Sequence, residues 1–382
     1  MVARRWLALS ILVGALGCAV PASNRSPDAG AGATDGGDRG GPPDAGDRPA
    51  DAGGLDSGAA DCACPALPAS CDAPATGTPV FTPPAEAMLE QIFHVIACAE
   101  SSLQIAMYEA EWPCIGEAIA AALARNPGLT VEVVADDERC APGSCIFDDL
   151  PAGRATIVRD ARSAYMHHKF VIADGERVWV GSANFSERSF CIDHNNSLIL
   201  DHAEIVDAYE ALFAELAGGG FEPMSRTPRV SEPYALYVSP DSPTTAPADW
   251  QTDILAAIDA AGSGSRIGVM MNAWTITEFA TALVAARDEG ASVRVLVSHT
   301  YANDPPAQTL LEAGVEIRRD SIHDKVIVID DVVFTGSANW SANARSNNEN
   351  VLRIEDAALA AAYHAEVDRV FASARTIDRV AP

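Results

Sequence analysis

Hydrophobic positions along this chain come in two alternating periods. Short, nearly continuous apolar runs are followed by longer stretches in which apolar residues return every three or four positions, from about Val80 to the C-terminus. The first kind predicts buried strands and the second amphipathic helices. Strands are expected at 103–108, 130–135, 155–159, 166–173, 178–181 and 197–200, with helices at 115–125 and 203–216. The same order then repeats, with strands at 266–271, 292–298, 315–318, 322–329, 332–336 and 351–354, and helices at 276–287 and 357–371. Apolar strands alternating with helices describe an α/β fold, a mixed β-sheet flanked by helices, and a plan that occurs twice describes two tandem domains. The Gly- and Pro-rich stretch 218–228 is the natural seam, giving a first domain at 79–222, a linker at 223–235 and a second domain at 236–382. The two copies should pack about a pseudo-twofold axis with equivalent surfaces meeting, so that an active site shared by both lies between them.

The N-terminal part follows neither period. Arg4 and Arg5 precede an apolar stretch, residues 6–17, that ends at Cys18. A basic start, a short apolar segment and small residues before a cleavage point describe a secretory signal at 1–18. Ala15-Leu16-Gly17-Cys18 resembles a bacterial lipobox, with Ala15 where Leu is usual, and so implies lipidation of Cys18. Ala19, in place of the Asp that marks inner-membrane retention, points to the outer membrane; cleavage near Gly17 without lipidation would give a secreted protein. Residues 19–78, dominated by Gly, Ala, Asp and Pro, are expected to form a disordered tether. No apolar run reaches the roughly 20 residues of a membrane-spanning helix. Besides Cys18 the chain carries Cys62, Cys64, Cys71, Cys98, Cys114, Cys140, Cys145 and Cys191, an even set that in an exported chain favours disulfides. Only Cys140–Cys145 is singled out by its tight loop, Ala-Pro-Gly-Ser. The paired CxxC units of a zinc site are missing, so no metal is expected.

Charge narrows the partners. With 26 basic against 53 acidic residues the formal net charge is -27, which disfavours a nucleic-acid partner. Of the basic residues only Lys169 and Lys325 are lysines, and both fall in matching places. The first copy reads His167-His168-Lys169, four residues, Asp174, then Gly181-Ser182-Ala183-Asn184; the second reads His323-Asp324-Lys325, four residues, Asp330, then Gly336-Ser337-Ala338-Asn339. On a strand, positions i and i+2 share a face, so each His lies beside its Lys. Asp174-Gly175 is a hairpin signal that would return Ser182 and Asn184 to the same place. Two such surfaces together offer imidazoles, compact ammonium charges, hydroxyls and amides to a phosphodiester.

Paired HxKxxxxD units, each followed by GSxN, resemble the phospholipase D superfamily, over residues 80–375. The resemblance implies that one His forms a phosphohistidine while the other, protonated, donates to the leaving alcohol and then activates water. It implies neither metal nor other cofactor, since lysines and imidazolium neutralise the developing charge. His167 is taken as nucleophile and His323 as acid, with Lys169, Lys325, Asp174 and Asp330 completing the catalytic set; the two aspartates are equally suited to bracing the strands. Ser182, Asn184, Ser337 and Asn339 are expected to bind the phosphate. In the family a carboxylate after GSxN orients the histidine. Glu349 stands there in the second copy, whereas the first copy departs, with Asn196 in that place and Asp193 nearby. Phe185 and Trp340 are expected to pack beneath the site.

The function implied first is phospholipase D-type hydrolysis of phospholipid head groups, giving phosphatidic acid, by a monomeric internal pseudo-dimer working at a membrane surface. The alternatives are an exported endonuclease of the same superfamily, a cardiolipin- or phosphatidylserine-synthase-like phosphatidyltransferase, and a lipid-anchored binding protein with a decayed site. The acidic balance opposes the nuclease, the missing membrane segments oppose the synthase, and the intact paired motifs oppose decay.

Overall fold

The computed structural model describes residues 62–68, 70–71, 76–222, 233–241 and 249–378. The expected signal sequence, Cys18 and the tether as far as residue 61 lie outside the described residues. The first half comprises β1 (Val80–Thr82), α1 (Glu86–Ala97), β2 (Ser102–Met107), α2 (Pro113–Arg125), β3 (Thr130–Ala135), β4 (Ala155–Arg159), β5 (Lys169–Ala173), β6 (Arg177–Gly181), α3 (Glu187–Cys191), β7 (Asn195–Leu200) and α4 (Ala203–Ala217). The second comprises β8 (Tyr234–Ser239), α5 (Asp249–Asp259), β9 (Arg266–Met271), α6 (Thr277–Asp288), β10 (Ser292–Ser298), α7 (Pro305–Ala313), β11 (Glu316–Asp320), β12 (Lys325–Ile329), β13 (Val332–Gly336), β14 (Glu349–Glu355), α8 (Ala357–Ser373) and β15 (Arg375–Thr376).

The two sheets have one topology. The first runs β1-β7-β6-β5-β2-β3-β4, and the second, read from β8, runs β8-β14-β13-β12-β9-β10-β11 with β15 added at the far edge. Strands β2, β3 and β4 are parallel, as are β9, β10 and β11, and the remaining pairs are antiparallel. Each sheet is apolar on both faces because a core lies on each side. In β5, Phe170 and Ile172 enter a central core while Val171 and Ala173 enter the outer core of the first half. In β12, Val326 and Val328 face that central core, and Ile327 and Ile329 face the outer core of the second half.

The central core takes Ile205, Tyr209, Leu212 and Phe213 of α4 together with Leu359, Tyr363 and Val367 of α8. Both helices are therefore shared packing between the sheets, and each such side chain contributes about 1.5–3 kcal/mol on burial. Joining the halves this firmly is what allows a site to be divided between them. Among the described residues no helix is long and apolar enough to cross a membrane.

Among the described residues four disulfides are present: Cys62–Cys191, Cys64–Cys114, Cys71–Cys98 and Cys140–Cys145. The last is the pair expected from its loop. The other three join Cys62, Cys64 and Cys71, within the expected tether, to α3, α2 and the residue that caps the C-terminal end of α1. A cross-link of this kind typically adds about 2–4 kcal/mol by restricting the unfolded chain.

Candidate active site

The chain reaches β5 and β12 by way of the opposite half. His167 N–H donates to the Asn348 carbonyl (3.0 Å) and Asn348 N–H to that of Tyr165 (2.8 Å). Reciprocally, His323 N–H donates to the His194 carbonyl (2.9 Å) and His194 N–H to that of Ser321 (2.8 Å). These exchanged pairs are the pseudo-twofold axis in hydrogen bonds. They also explain why β5 begins at Lys169 and not at Met166, as expected: the residues before it pair across the axis.

The residue after each bridging backbone then reaches the histidine ring. His167 Nδ1–H donates to Glu349 Oε2 at 2.8 Å, and His323 Nδ1–H donates to Asn195 Oδ1 at 2.8 Å. Each ring is thus fixed by a side chain of the other half. The amide on His323 is Asn195, and this corrects the expectation of Asn196. The first half has one residue more between GSAN and its strand, so counting leaves the register ambiguous by one. Asn196 instead matches Asn350: its Nδ2 donates to Asp324 Oδ1 (2.7 Å) while Thr335 and Tyr363 donate to its Oδ1, whereas Asn350 Oδ1 meets His168 Nδ1 (3.0 Å).

The GSAN segments hold these orienting residues. Ser337 Oγ donates to Glu349 Oε2 (2.6 Å) and accepts from Asn350 N–H; Ser182 Oγ donates to Asn195 Oδ1 (2.8 Å) and accepts from Asn196 N–H. A hydroxyl has one proton, and here it is committed to the orienting side chain. Ser182 and Ser337 thereby support the side chains that fix the histidines. The preceding glycines are required by the same approach. A Cβ on Gly181 would lie 2.1 Å from the Asn196 carbonyl oxygen, and one on Gly336, at φ +142°, 2.3 Å from that of Asn350.

The amides differ. Asn339 Oδ1 accepts from Ala273 N–H (3.2 Å), while Asn184 Nδ2 donates to Glu109 Oε2 (3.2 Å). Glu109, half-buried, adds a carboxylate where the second half has Ala273. Phe185 and Trp340 are fully buried, Trp340 stacking on Phe279 with centroids 4.1 Å apart.

Lys169 is fully enclosed and its Nζ donates to the His167 carbonyl at 2.7 Å; Lys325 Nζ donates likewise to the His323 carbonyl and lies 3.4 Å from His323 Nε2. Burial and the neighbouring charge of Lys325 hold Lys169 well below the usual lysine range. His323 is held well below the ordinary imidazole value by desolvation and by Lys325 and Lys169. Burial pushes Glu349 up to about 7. An anion entering between the lysines relieves this crowding of cations, so the arrangement favours a negatively charged ligand.

Asp174 and Asp330 do not join this group. They sit at the far ends of β5 and β12, at the hairpin turns with φ 59° and 47°. Asp174 accepts from the N–H groups of Glu100, Ser101 and Ser102 and from Ser101 Oγ, and Asp330 from Arg266 N–H (2.8 Å). Each braces its strand to the start of β2 or β9, the bracing position for which they were equally suited.

The family described as cardiolipin synthase, PLD-like domain, matches residues 92–217 and 254–371. This chain belongs to the phospholipase D superfamily. Mitochondrial cardiolipin hydrolase of Xenopus laevis is 36% identical over 119 residues, 31% of this chain and 55% of that protein. Phospholipase D of Rickettsia bellii (strain RML369-C) is 34% identical over 109 residues, 26% of this chain and 54% of that protein. The chain thus spans little more than half the length of these curated relatives. A phosphatidylserine synthase from Haemophilus influenzae Rd KW20 shares the fold, with TM-score 0.54 at 14% identity over 78% of this chain and 87% of that one.

Within this superfamily frame, the sequence left Asn195 and Glu109 unnoticed. For Asn195 a signal existed: aligning Asn195-Asn196-Ser197 with Glu349-Asn350-Val351 on their shared second Asn sets the register. For Glu109 there was none, because its neighbour Asn184 is brought to it only by the fold.

Proposed function

We propose that this phospholipase D superfamily member hydrolyses phospholipid head groups to phosphatidic acid through a phosphohistidine. The observation that carries the reading is the convergence of two imidazoles and two lysines from opposite halves, each ring fixed across the axis. The lysines hold the phosphodiester anion, one imidazole attacks phosphorus, and the other protonates the leaving head group and then takes a proton from water. Lipid is favoured over nucleic acid by the net charge of -27, which repels a polyanion. Glu109 adds a carboxylate beside the cationic pair, which suits an amine-bearing head group such as ethanolamine or choline. Export, supported by four disulfides, and a lipid anchor at Cys18 would place the enzyme at a bilayer at high effective concentration.

The test is product analysis with one preparation of the full chain. Phosphatidylcholine and phosphatidylethanolamine vesicles, with and without added alcohol, are compared with single- and double-stranded DNA. Phosphatidic acid release that depends on both His167 and His323 is expected, each alanine variant losing about 10²–10⁴-fold. Cleavage of DNA without lipid turnover transfers the reading to the nuclease, and exclusive head-group exchange with alcohol transfers it to a phosphatidyltransferase.

A further inference from the structure

The two histidines are held alike in geometry and unlike in chemistry. Asn195 Nδ2 donates to the Ser189 carbonyl (2.8 Å), an atom that can only accept, so the amide oxygen must be the face turned to His323. His323 Nδ1 is therefore the N–H of its ring, and in the neutral imidazole Nε2 carries the lone pair. On the other side His167 Nδ1 faces a carboxylate, Glu349, whose Oε2 also accepts from Ser337 and whose Oε1 accepts from Asn347 Nδ2 (3.3 Å). A carboxylate stabilises imidazolium where an amide oxygen stabilises it less, so the His167–Glu349 pair retains a transferable proton that the His323–Asn195 pair does not.

We propose that Asn195 is a positioning residue that divides the labour: His323 is the nucleophile and His167 the general acid. The proposal rests on the phosphohistidine reading above and reverses the order that the sequence suggested. In the first step the His323 Nε2 lone pair forms the N–P bond as the bond from phosphorus to the head-group oxygen breaks, and that oxygen takes the proton from His167 Nε2. In the second step water gives a proton to the now neutral His167, its oxygen bonds to phosphorus, and the N–P electron pair returns to His323. Phosphatidic acid leaves and His167 is imidazolium again. The surroundings agree. Desolvation and the charges of Lys325, Lys169, His167 and Arg188 disfavour protonation of His323, whereas His167 lies against Glu349, Lys169 and the Tyr108 ring (4.6 Å between centroids).

Phosphatidyl-p-nitrophenol in mixed micelles separates the roles, because p-nitrophenolate leaves without being protonated. His167→Ala is expected to release one equivalent of p-nitrophenol in a burst and then stall, with the phosphoryl group mapped by mass spectrometry to the peptide holding His323. His323→Ala is expected to give no burst. Asn195→Asp should move the acid limb of kcat/KM upward by about one pH unit or more, because a carboxylate would stabilise the imidazolium of His323, whereas a residue that only supports the fold would leave that limb in place. A burst from His323→Ala with label on His167, or an unmoved acid limb in a folded Asn195→Asp, overturns the assignment alone. Wild-type turnover of this substrate without any phosphohistidine overturns the phosphohistidine reading itself, and the assignment with it.

Discussion

At the position that orients the histidine of the opposite half, the first half carries an amide, Asn195, and the second a carboxylate, Glu349, although both side chains lie 2.8 Å from their rings and both are held by the serine of a GSAN segment. The residue between His and Lys differs as well. It is His168 in one half and Asp324 in the other, both buried and each facing an asparagine of the opposite half. Duplication thus supplies the geometry twice, and substitution at a few buried positions gives the two rings different partners. A two-step reaction that requires one neutral and one protonated imidazole is better served by such a pair than by two identical sites.

The largest expected effect tests what the halves keep in common. Gly181→Ala and Gly336→Ala each drive a Cβ against a backbone carbonyl oxygen, at 2.1 and 2.3 Å, and should each cost about 3 kcal/mol or more. Thermal denaturation would measure it, and a harmless substitution in either half would break the equivalence.

A smaller effect separates the halves by pH. Burial raises Asp324 from 3.8 to about 7, so its contribution to stability is complete at low pH and is lost as pH rises through about 7. Burial lowers His168 from 6.5 to about 4, so its contribution is present above 6.5 and is lost as pH falls toward 4. Asp324→Asn should therefore remove a loss of stability as pH rises from about 4 to about 7, and His168→Asn a gain of stability over the same window, each by about 1–3 kcal/mol. Tm shifts of the same sign from both variants between about pH 4 and 7 would contradict the opposite slopes.

The smallest effect concerns the aspartates of the motif. Asp174 accepts from three backbone N–H groups and a hydroxyl, Asp330 from one backbone N–H. Asp174→Asn should destabilise by about 1–2 kcal/mol and Asp330→Asn by less, both with kcat/KM unchanged at a temperature where the variants are folded. Loss of turnover without loss of stability would return these residues to the chemistry.

Much of the fold was legible because the apolar runs of the sheets are long and occur twice. The strands of 130–135 and 155–159 were placed at the bounds that β3 and β4 have. The edge strands β1 and β8, the helices α1, α3, α5 and α7 and the added β15 were missed. Residues 80–82 and 375–376 are too short to carry a period, and α5 lies close to the Gly- and Pro-rich seam. In the candidate site, the repeated spacing singled out His167, Lys169, His323 and Lys325, which the fold brings together. Glu349 was expected as an orienting residue, but which histidine each orienting residue serves was not legible, because Glu349 serves His167 and Asn195 serves His323 across the axis and a motif read within one copy carries no information about the other. The contacts of the serines were illegible for a related reason. Their side chains were expected to face a ligand, and only the fold discloses that β7 and β14 pass close enough to take their protons.

The central claim is that the amide and the carboxylate, placed across the axis, decide which histidine attacks. The double variant Asn195→Glu with Glu349→Asn exchanges them while leaving both histidines, both lysines and both serines in place. After acid-free quenching of the reaction with phosphatidyl-p-nitrophenol, mass-spectrometric mapping of the phosphoenzyme should find the phosphoryl group on His323 in the wild type and on His167 in the exchanged protein. If the exchanged protein still carries it on His323, the orienting pair does not set the direction of the reaction.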